Sequence, residues 1–267
     1  MYRAMEEIVR QAGELLLSAH DIETSVKVKT LACDLVTVYD KAVQDYLCKE
    51  LLAAYPDAGI YAEEEDLCDI DGKTRYFIID PIDGTANFVR QLHHSCISVG
   101  LYEEGKIIAA VVYNPYAREM FTAALGQGAY LNGQRLHMTQ VDLDHSLVLF
   151  GSAIYYRETV PATIRLVEEL LPRVLDFRRG GSAALDLCYL AAGKADLFFE
   201  ACLRPWDYAA GSLMVTEAGG IVTALDGSTL RFYDRCSVAA GSNINHPTLI
   251  QIAQAIGQEP TMKGRIS

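Results

Sequence analysis

The chain has 267 residues, 51% of them hydrophobic, enough for one large core or for two lobes that share an interface. A formal net charge of −12 argues against nucleic acid as a partner, since binding that polymer is driven by cationic neutralisation of phosphate; any phosphate bound here needs a metal. No run approaches a membrane span, and Glu6, Glu7, Arg10 and Glu14 interrupt the N-terminus where a signal peptide would be apolar, so a cytoplasmic protein without membrane contact is expected.

Met5, Ile8, Val9, Ala12, Leu15, Leu16 and Ala19 recur at helical spacing and predict an amphipathic first helix. A second helix is predicted from about Thr37 to Ala54, ended by Tyr55-Pro56. The acids Glu63-Glu64-Glu65-Asp66 read by default as a solvated loop. A sheet should begin near Tyr76 and continue through 95–101, 107–113, 119–124 and 129–131. Turn signals at Glu104-Gly105, Asn114-Pro115 and Asn132-Gly133 make its connections short and its strands antiparallel. After Ser146, strands predicted at 147–150, 174–177, 197–200, 221–223 and 237–240 alternate with helices at 160–171, 183–192, 207–218 and 247–256. The expectation is one unit over 1–267 with two lobes: an α+β lobe, 1–145, carrying the antiparallel sheet and a metal site, and an α/β lobe, 146–267, selecting the substrate. The tail 258–267 lacks apolar periodicity and is expected to be mobile or docked on another subunit.

Seven cysteines are scattered without ligand spacing, which fits reduced, structural thiols. Adjacent His93 and His94 point in different directions and read as surface or rim residues. The informative stretch is Tyr76 to Phe88. An apolar run ends at Asp80, and Pro81 denies a ladder N–H where the strand should stop. Asp80 and Asp83 then stand three apart across a turn, so both carboxylates and the Ile82 carbonyl can face one hard divalent cation such as magnesium. Gly84, Thr85 and Ala86 would present N–H groups to an anion at a helix start. The plainer alternative is that Asp-Gly makes a turn and the aspartates cap a helix. Asp207 likewise reads alone as an N-cap with Trp206 as a hydrophobic staple, and Glu200 as a strand-end acid.

Taken together, these segments resemble the inositol monophosphatase family, within the lithium-sensitive, magnesium-dependent phosphatase superfamily that includes fructose-1,6-bisphosphatases. The resemblance is carried by Phe77 to Phe88 and by Trp206-Asp207-Tyr208-Ala209-Ala210-Gly211 through Val215-Thr216-Glu217-Ala218-Gly219-Gly220. Asp34-Leu35-Val36-Thr37 with Asp40, Glu63-Glu64, Gly126-Gln127-Gly128-Ala129 with Asn132-Gly133, and Gly181-Ser182-Ala183-Ala184 also match, so the likeness runs from Lys29 to Gly220. Ala62 replaces the usual glycine, Ala86 a common threonine, and the loop from Glu63 to Asp80 is short.

The resemblance implies a layered αβαβα fold, commonly a homodimer, and a phosphate monoester as the small-molecule substrate. Glu63, Asp80, the Ile82 carbonyl, Asp83 and Asp207 would hold two or three magnesium ions. Glu63 and Thr85 would orient the attacking water, with Asp40 supporting the Thr85 hydroxyl. Ala183 and Glu200 would lie beside inositol hydroxyls, with Asp207 facing substrate as well as metal. Direct attack by water on inositol monophosphate is the expected reaction. The alternatives are a 3'(2'),5'-bisphosphate nucleotidase, a histidinol-phosphate phosphatase, a sugar bisphosphatase or a non-catalytic binding protein.

Overall fold

In the computed structural model, residues 2–29, 35–64 and 67–258 are described; Cys33, Asp34, Glu65, Asp66 and the tail 259–267 lie outside them. Helix α1 (Arg3–Leu17) buries Met5, Val9, Ala12 and Leu16, and a short helix α2 (Ile22–Ser25) follows. Strands β1 (Lys27–Val28) and β2 (Leu35–Val36) pair antiparallel. Helix α3 (Val38–Ala54) begins at a capping box, in which the Thr37 hydroxyl accepts the Tyr39 N–H and Asp40 accepts the Thr37 N–H.

Strands β3 (Gly59–Ala62), β4 (Cys68–Asp69), β5 (Arg75–Asp83), β6 (Cys96–Glu103), β7 (Lys106–Asn114), β8 (Glu119–Ala124), β9 (Gly128–Leu131) and β10 (Gln134–Arg135) form one sheet, ordered β10-β9-β8-β7-β6-β5-β3-β4, with helix α4 (Thr85–Val89) after β5. The meander β5 to β9 is antiparallel as predicted, whereas β3 runs parallel to β5. Pro81 does not end the strand. Pairing with β6 resumes at Asp83 after a register shift between Asp80 and Asp83, so the proline sits in an irregularity that asks for no ladder N–H.

The second half contains β11 (Leu147–Phe150), α5 (Val160–Leu170), β12 (Asp176–Arg178), α6 (Ala183–Ala191), β13 (Leu197–Leu203), α7 (Pro205–Glu217), β14 (Ile221–Thr223), β15 (Cys236–Gly241) and α8 (His246–Gln258). Its sheet, ordered β12-β11-β13-β15-β14, is mixed: β11 is parallel to both neighbours, while β15 is antiparallel to β13 and β14.

Strand alternation explains the layers. On β5, Phe77 and Ile79 face α1 and α3 with Val43 and Leu47, while Tyr76 and Ile78 face α6 and α7 with Leu187 and Met214. On β13, Phe198 joins that same central layer, while Leu197 and Phe199 pack with Leu166 of α5 and Leu249 of α8. Buried on both faces, the two strands read as near-continuous apolar runs. The result is α1/α3, sheet, α6/α7, sheet, α5/α8: the αβαβα sandwich. No helix among the described residues is long and apolar enough to cross a membrane.

Candidate active site

The site gathers where β5 ends, α7 begins and α6 begins. Asp80, Asp83 and Asp207 each offer a carboxylate oxygen within 4.8 Å of the others, the one such acidic group among the described residues. Each is fixed by a donor of its own. The Ile82 N–H donates to Asp80 Oδ1 (3.0 Å), and the Ser182 hydroxyl (2.6 Å) and the Ala184 N–H (2.7 Å) donate to Asp83 Oδ2. The Arg204 N–H donates to Asp207 Oδ2 (2.7 Å). Asp207 is therefore not an N-cap. The helix starts earlier, at Pro205, and Arg204 takes the cap position. Trp206 is buried edge-on against Tyr61 (5.3 Å between centroids) and its carbonyl accepts from Ser98, which pins this helix start to the large sheet.

Burial pushes the carboxyls of Asp80 and Asp207 well above the ordinary range. Repulsion from Glu63 and Asp83 adds to Asp80, and repulsion from Asp83 and Glu63 adds to Asp207. Burial also raises Asp83, although the Ser182 hydroxyl and the Ala184 N–H oppose it. At an effective dielectric near 20, each like-charge pair at about 4 Å costs roughly 4 kcal/mol. A cluster of hard oxygens under that repulsion fits magnesium: the three aspartates could supply anionic ligands, with Glu63 and the Ile82 carbonyl close by as further candidates.

Glu63 is near enough to Asp80 for its charge to raise that carboxyl but lies outside the tight trio. Its N–H is tied to the Ile79 carbonyl, and Gln44 of α3 clamps both backbone groups of Glu64 (2.9 and 3.0 Å), so the turn after β3 is held on two sides. Lys29 bridges Glu63 (3.0 Å) and Glu64 (2.7 Å). Burial would lower that ammonium's pKa, but the two glutamates outweigh it and raise it. Burial and the Glu63 charge push Glu64 up to about 7. The sequence reading named Lys29 only as the edge of the family likeness and missed its pairing with Glu63, because 34 residues separate the two.

The Thr85 hydroxyl lies 3.2 Å from Asp40 Oδ1 and 3.1 Å from the Ile82 carbonyl. Asp40 Oδ2 accepts both the N–H and the hydroxyl of Thr37 (2.7 and 2.6 Å), and burial raises its carboxyl to about 6. Gly84, at φ +90°, turns the chain into α4, so the Thr85 and Ala86 N–H groups open that helix without intrahelical acceptors.

Glu200 differs from its sequence reading. It lies inside β13 rather than at a strand end, and it is partly buried. The Ala153 N–H donates to its Oε1 (3.0 Å), and a Cβ on Gly151 would overlap its carboxylate. Burial pushes Glu200 up to about 7, while the Ala153 N–H and nearby Arg179 pull the other way. The N-terminus of α6 is directed at Asp83. Ser182 caps that helix and donates to Asp83, as does the Ala184 N–H, so this end faces a metal-site carboxylate. Ala183 sits between those two anchors. His93 is exposed and stacks on Tyr116, but His94 is half-buried and faces Asp186. Arg178 pairs with Asp176, and Arg179 donates to the Ser152 hydroxyl (3.0 Å).

Comparison with known proteins agrees with this architecture. Residues 1–258 match the inositol monophosphatase family. The chain is 41% identical over 220 residues to Nus factor SuhB of Escherichia coli (strain K12), covering 82% of each chain. The solved structure of the extragenic suppressor protein suhB from Bartonella henselae superposes with a TM-score of 0.86 at 32% identity, covering 94% of this chain and 97% of that one. The Thermotoga maritima IMPase superposes at 0.85 with 31% identity, covering 95% and 96%. A whole-chain match, an αβαβα sandwich shared with solved relatives and an acidic cluster at the junction of its two sheets place the chain in the inositol monophosphatase family.

Proposed function

We propose that this chain is a magnesium-dependent phosphomonoesterase that hydrolyses inositol monophosphate by direct attack of water. The observation that carries the reading is the convergence of Asp80, Asp83 and Asp207 within 4.8 Å, beside a threonine hydroxyl backed by a buried carboxylate. Glu63, Asp80, the Ile82 carbonyl, Asp83 and Asp207 would hold two or three magnesium ions. Bound there, the metal would neutralise phosphate, polarise water and stabilise the leaving oxygen.

The chain's own residues supply the rest. A Thr85 hydroxyl that gives its proton to Asp40 presents only lone pairs outward, so it accepts a proton of water and aims an oxygen lone pair at phosphorus. Glu63, steadied by Lys29, takes the second water proton. The Thr85 and Ala86 N–H groups hold phosphate oxygens. Attack through a protein nucleophile is disfavoured: Ser182 spends its proton on Asp83, and burial holds the Cys96 thiol far above its ordinary pKa. Glu200 accepts hydrogen bonds from ring hydroxyls, with Ala183 alongside.

The test is a panel of phosphate esters with phosphate release measured at saturating magnesium. A preference for inositol monophosphate supports the reading; a preference for a nucleotide bisphosphate, histidinol phosphate or a sugar bisphosphate replaces the substrate and keeps the chemistry. The name of the Escherichia coli relative favours a second reading, a Nus-factor role exercised through a macromolecular partner. Asp83→Asn separates the two, since a docking role survives loss of a site carboxylate and hydrolysis does not.

A further inference from the structure

Behind the loop 179–182 lies a cluster that the proposed chemistry leaves unused. Asp186 of α6 is almost fully buried, with a side chain 3% exposed, and its Oδ1 is 4.0 Å from His94 Nε2. That imidazole nitrogen is buried and has no hydrogen-bond partner among the described residues. Gly180 lies directly over the pair: a Cβ there would run into both Asp186 Oδ1 and His94 Nε2, and the Gly180 N–H is near enough to the Asp186 carboxylate to oppose the rise that burial gives its pKa. Asn87 closes the bracket, its amide donating to the carbonyls of His94 (2.7 Å) and Gly180 (3.0 Å). The Asn87 side chain of α4 thus ties the segment after α4 to the segment before α6 through their carbonyls, reaching 93 residues along the chain to Gly180.

We propose that Asp186 and His94 are positioning residues for substrate recognition, holding Gly180 and Gly181 so that Arg179 is presented beside Glu200. The inference rests on the functional reading above. The loop has two anchors of different kinds. Its downstream end is fixed on Asp83 by Ser182 and Ala184, and does not need Asp186. Its upstream end carries Arg179, whose charge is felt by both Glu200 and Asp186, and this end depends on the Gly180 contacts. Freeing the upstream end should therefore leave the metal site intact and blunt the pocket.

The experiment compares Asp186→Ala and Asp186→Asn with wild type. In Asp186→Ala the Gly180 backbone loses the carboxylate it packs against. KM for inositol monophosphate should rise by about fivefold, what one lost hydrogen bond is worth, with kcat and the magnesium half-saturation within about twofold. Glycerol 2-phosphate, which carries no ring, should show no such rise. Asp186→Asn keeps an acceptor oxygen and should restore most of the KM. Amide exchange of the 178–185 segment, followed by mass spectrometry without substrate, should accelerate in the alanine variant and recover in the asparagine one. Unchanged exchange in Asp186→Ala, or a parallel loss in kcat, magnesium response and both substrates, overturns the proposal. Failure of wild type to hydrolyse inositol monophosphate defeats the functional reading instead, and the exchange measurement still decides the loop.

Discussion

The acidic end of the site draws each aspartate from a strand or helix and fixes one of its oxygens with a donor, local for Asp80 and Asp207 and from the start of α6 for Asp83, whereas the Glu200 end relies on one strand and a loop. Asp80, Asp83 and Asp207 are braced by Ile82, by Ser182 with Ala184, and by Arg204. Glu200 is braced by the N–H of Ala153, a non-glycine residue at φ +44°, in the left-handed region that L-residues avoid. The contrast teaches where each task can vary. On the proposed reading, the chemistry shared by all phosphate monoesters would sit on regular elements, and selection among esters on loops 151–156 and 179–182, which can change without dismantling the sheets.

The largest expected effect breaks the acidic end. Asp83→Asn or Asp207→Asn should cut kcat/KM by more than about a thousandfold, several kcal/mol of lost charge stabilisation, in a protein that stays folded by circular dichroism. Wild-type rates at limiting magnesium would sink the metal assignment. Next, Glu63→Gln and Thr85→Ala should lower kcat by about a hundredfold with little change in KM, since aiming water is a transition-state task. A change in KM alone for both removes them from that role. At the other end, Glu200→Gln should lower kcat/KM by about tenfold for inositol monophosphate and less for glycerol 2-phosphate. An equal loss on both substrates would erase the distinction between the two ends.

The smallest effect concerns stability without metal. Asp40 is raised from 3.8 to about 6 and Glu200 from 4.5 to about 7, so between those values the folded chain holds protons that the unfolded chain has released. Stability from these groups is complete below their unfolded values and is lost as pH rises through the folded ones. Tm in chelator should fall by about a few degrees between roughly pH 4 and pH 7. Thermal scans across that range check it, and a rising Tm contradicts it.

Much of this was legible because the informative residues lie close together in the chain. Asp80 and Asp83 share one short segment, and the alternation on β5 and β13 shows as apolar runs. The capping residues Thr37 and Asp40 are three apart. What escaped depends on distant partners. The four-residue strand β3 gains its place by lying parallel to β5 and antiparallel to β4, and it stands beside an acid run that reads as loop. Pro81 was expected to stop the strand, but the irregularity that admits it is set by the partner β6. Taken alone, Asp207 also reads as a cap because Trp206 precedes it, whereas Pro205 at the first helical position moves the start two residues earlier. His94 was read as a rim residue because Asp186, which it faces, lies 92 positions further along the sequence.

The two bonds onto Asp83 span 99 and 101 residues of chain. Contacts of that separation close late, after the loop entropy between them has been overcome, so the metal-binding geometry is absent from a half-formed chain. A divalent ion that recognises only the finished arrangement gains its hold after the folding barrier has been crossed. Magnesium should then act as a latch on the native state: it lengthens the lifetime against unfolding and leaves the rate of folding nearly untouched.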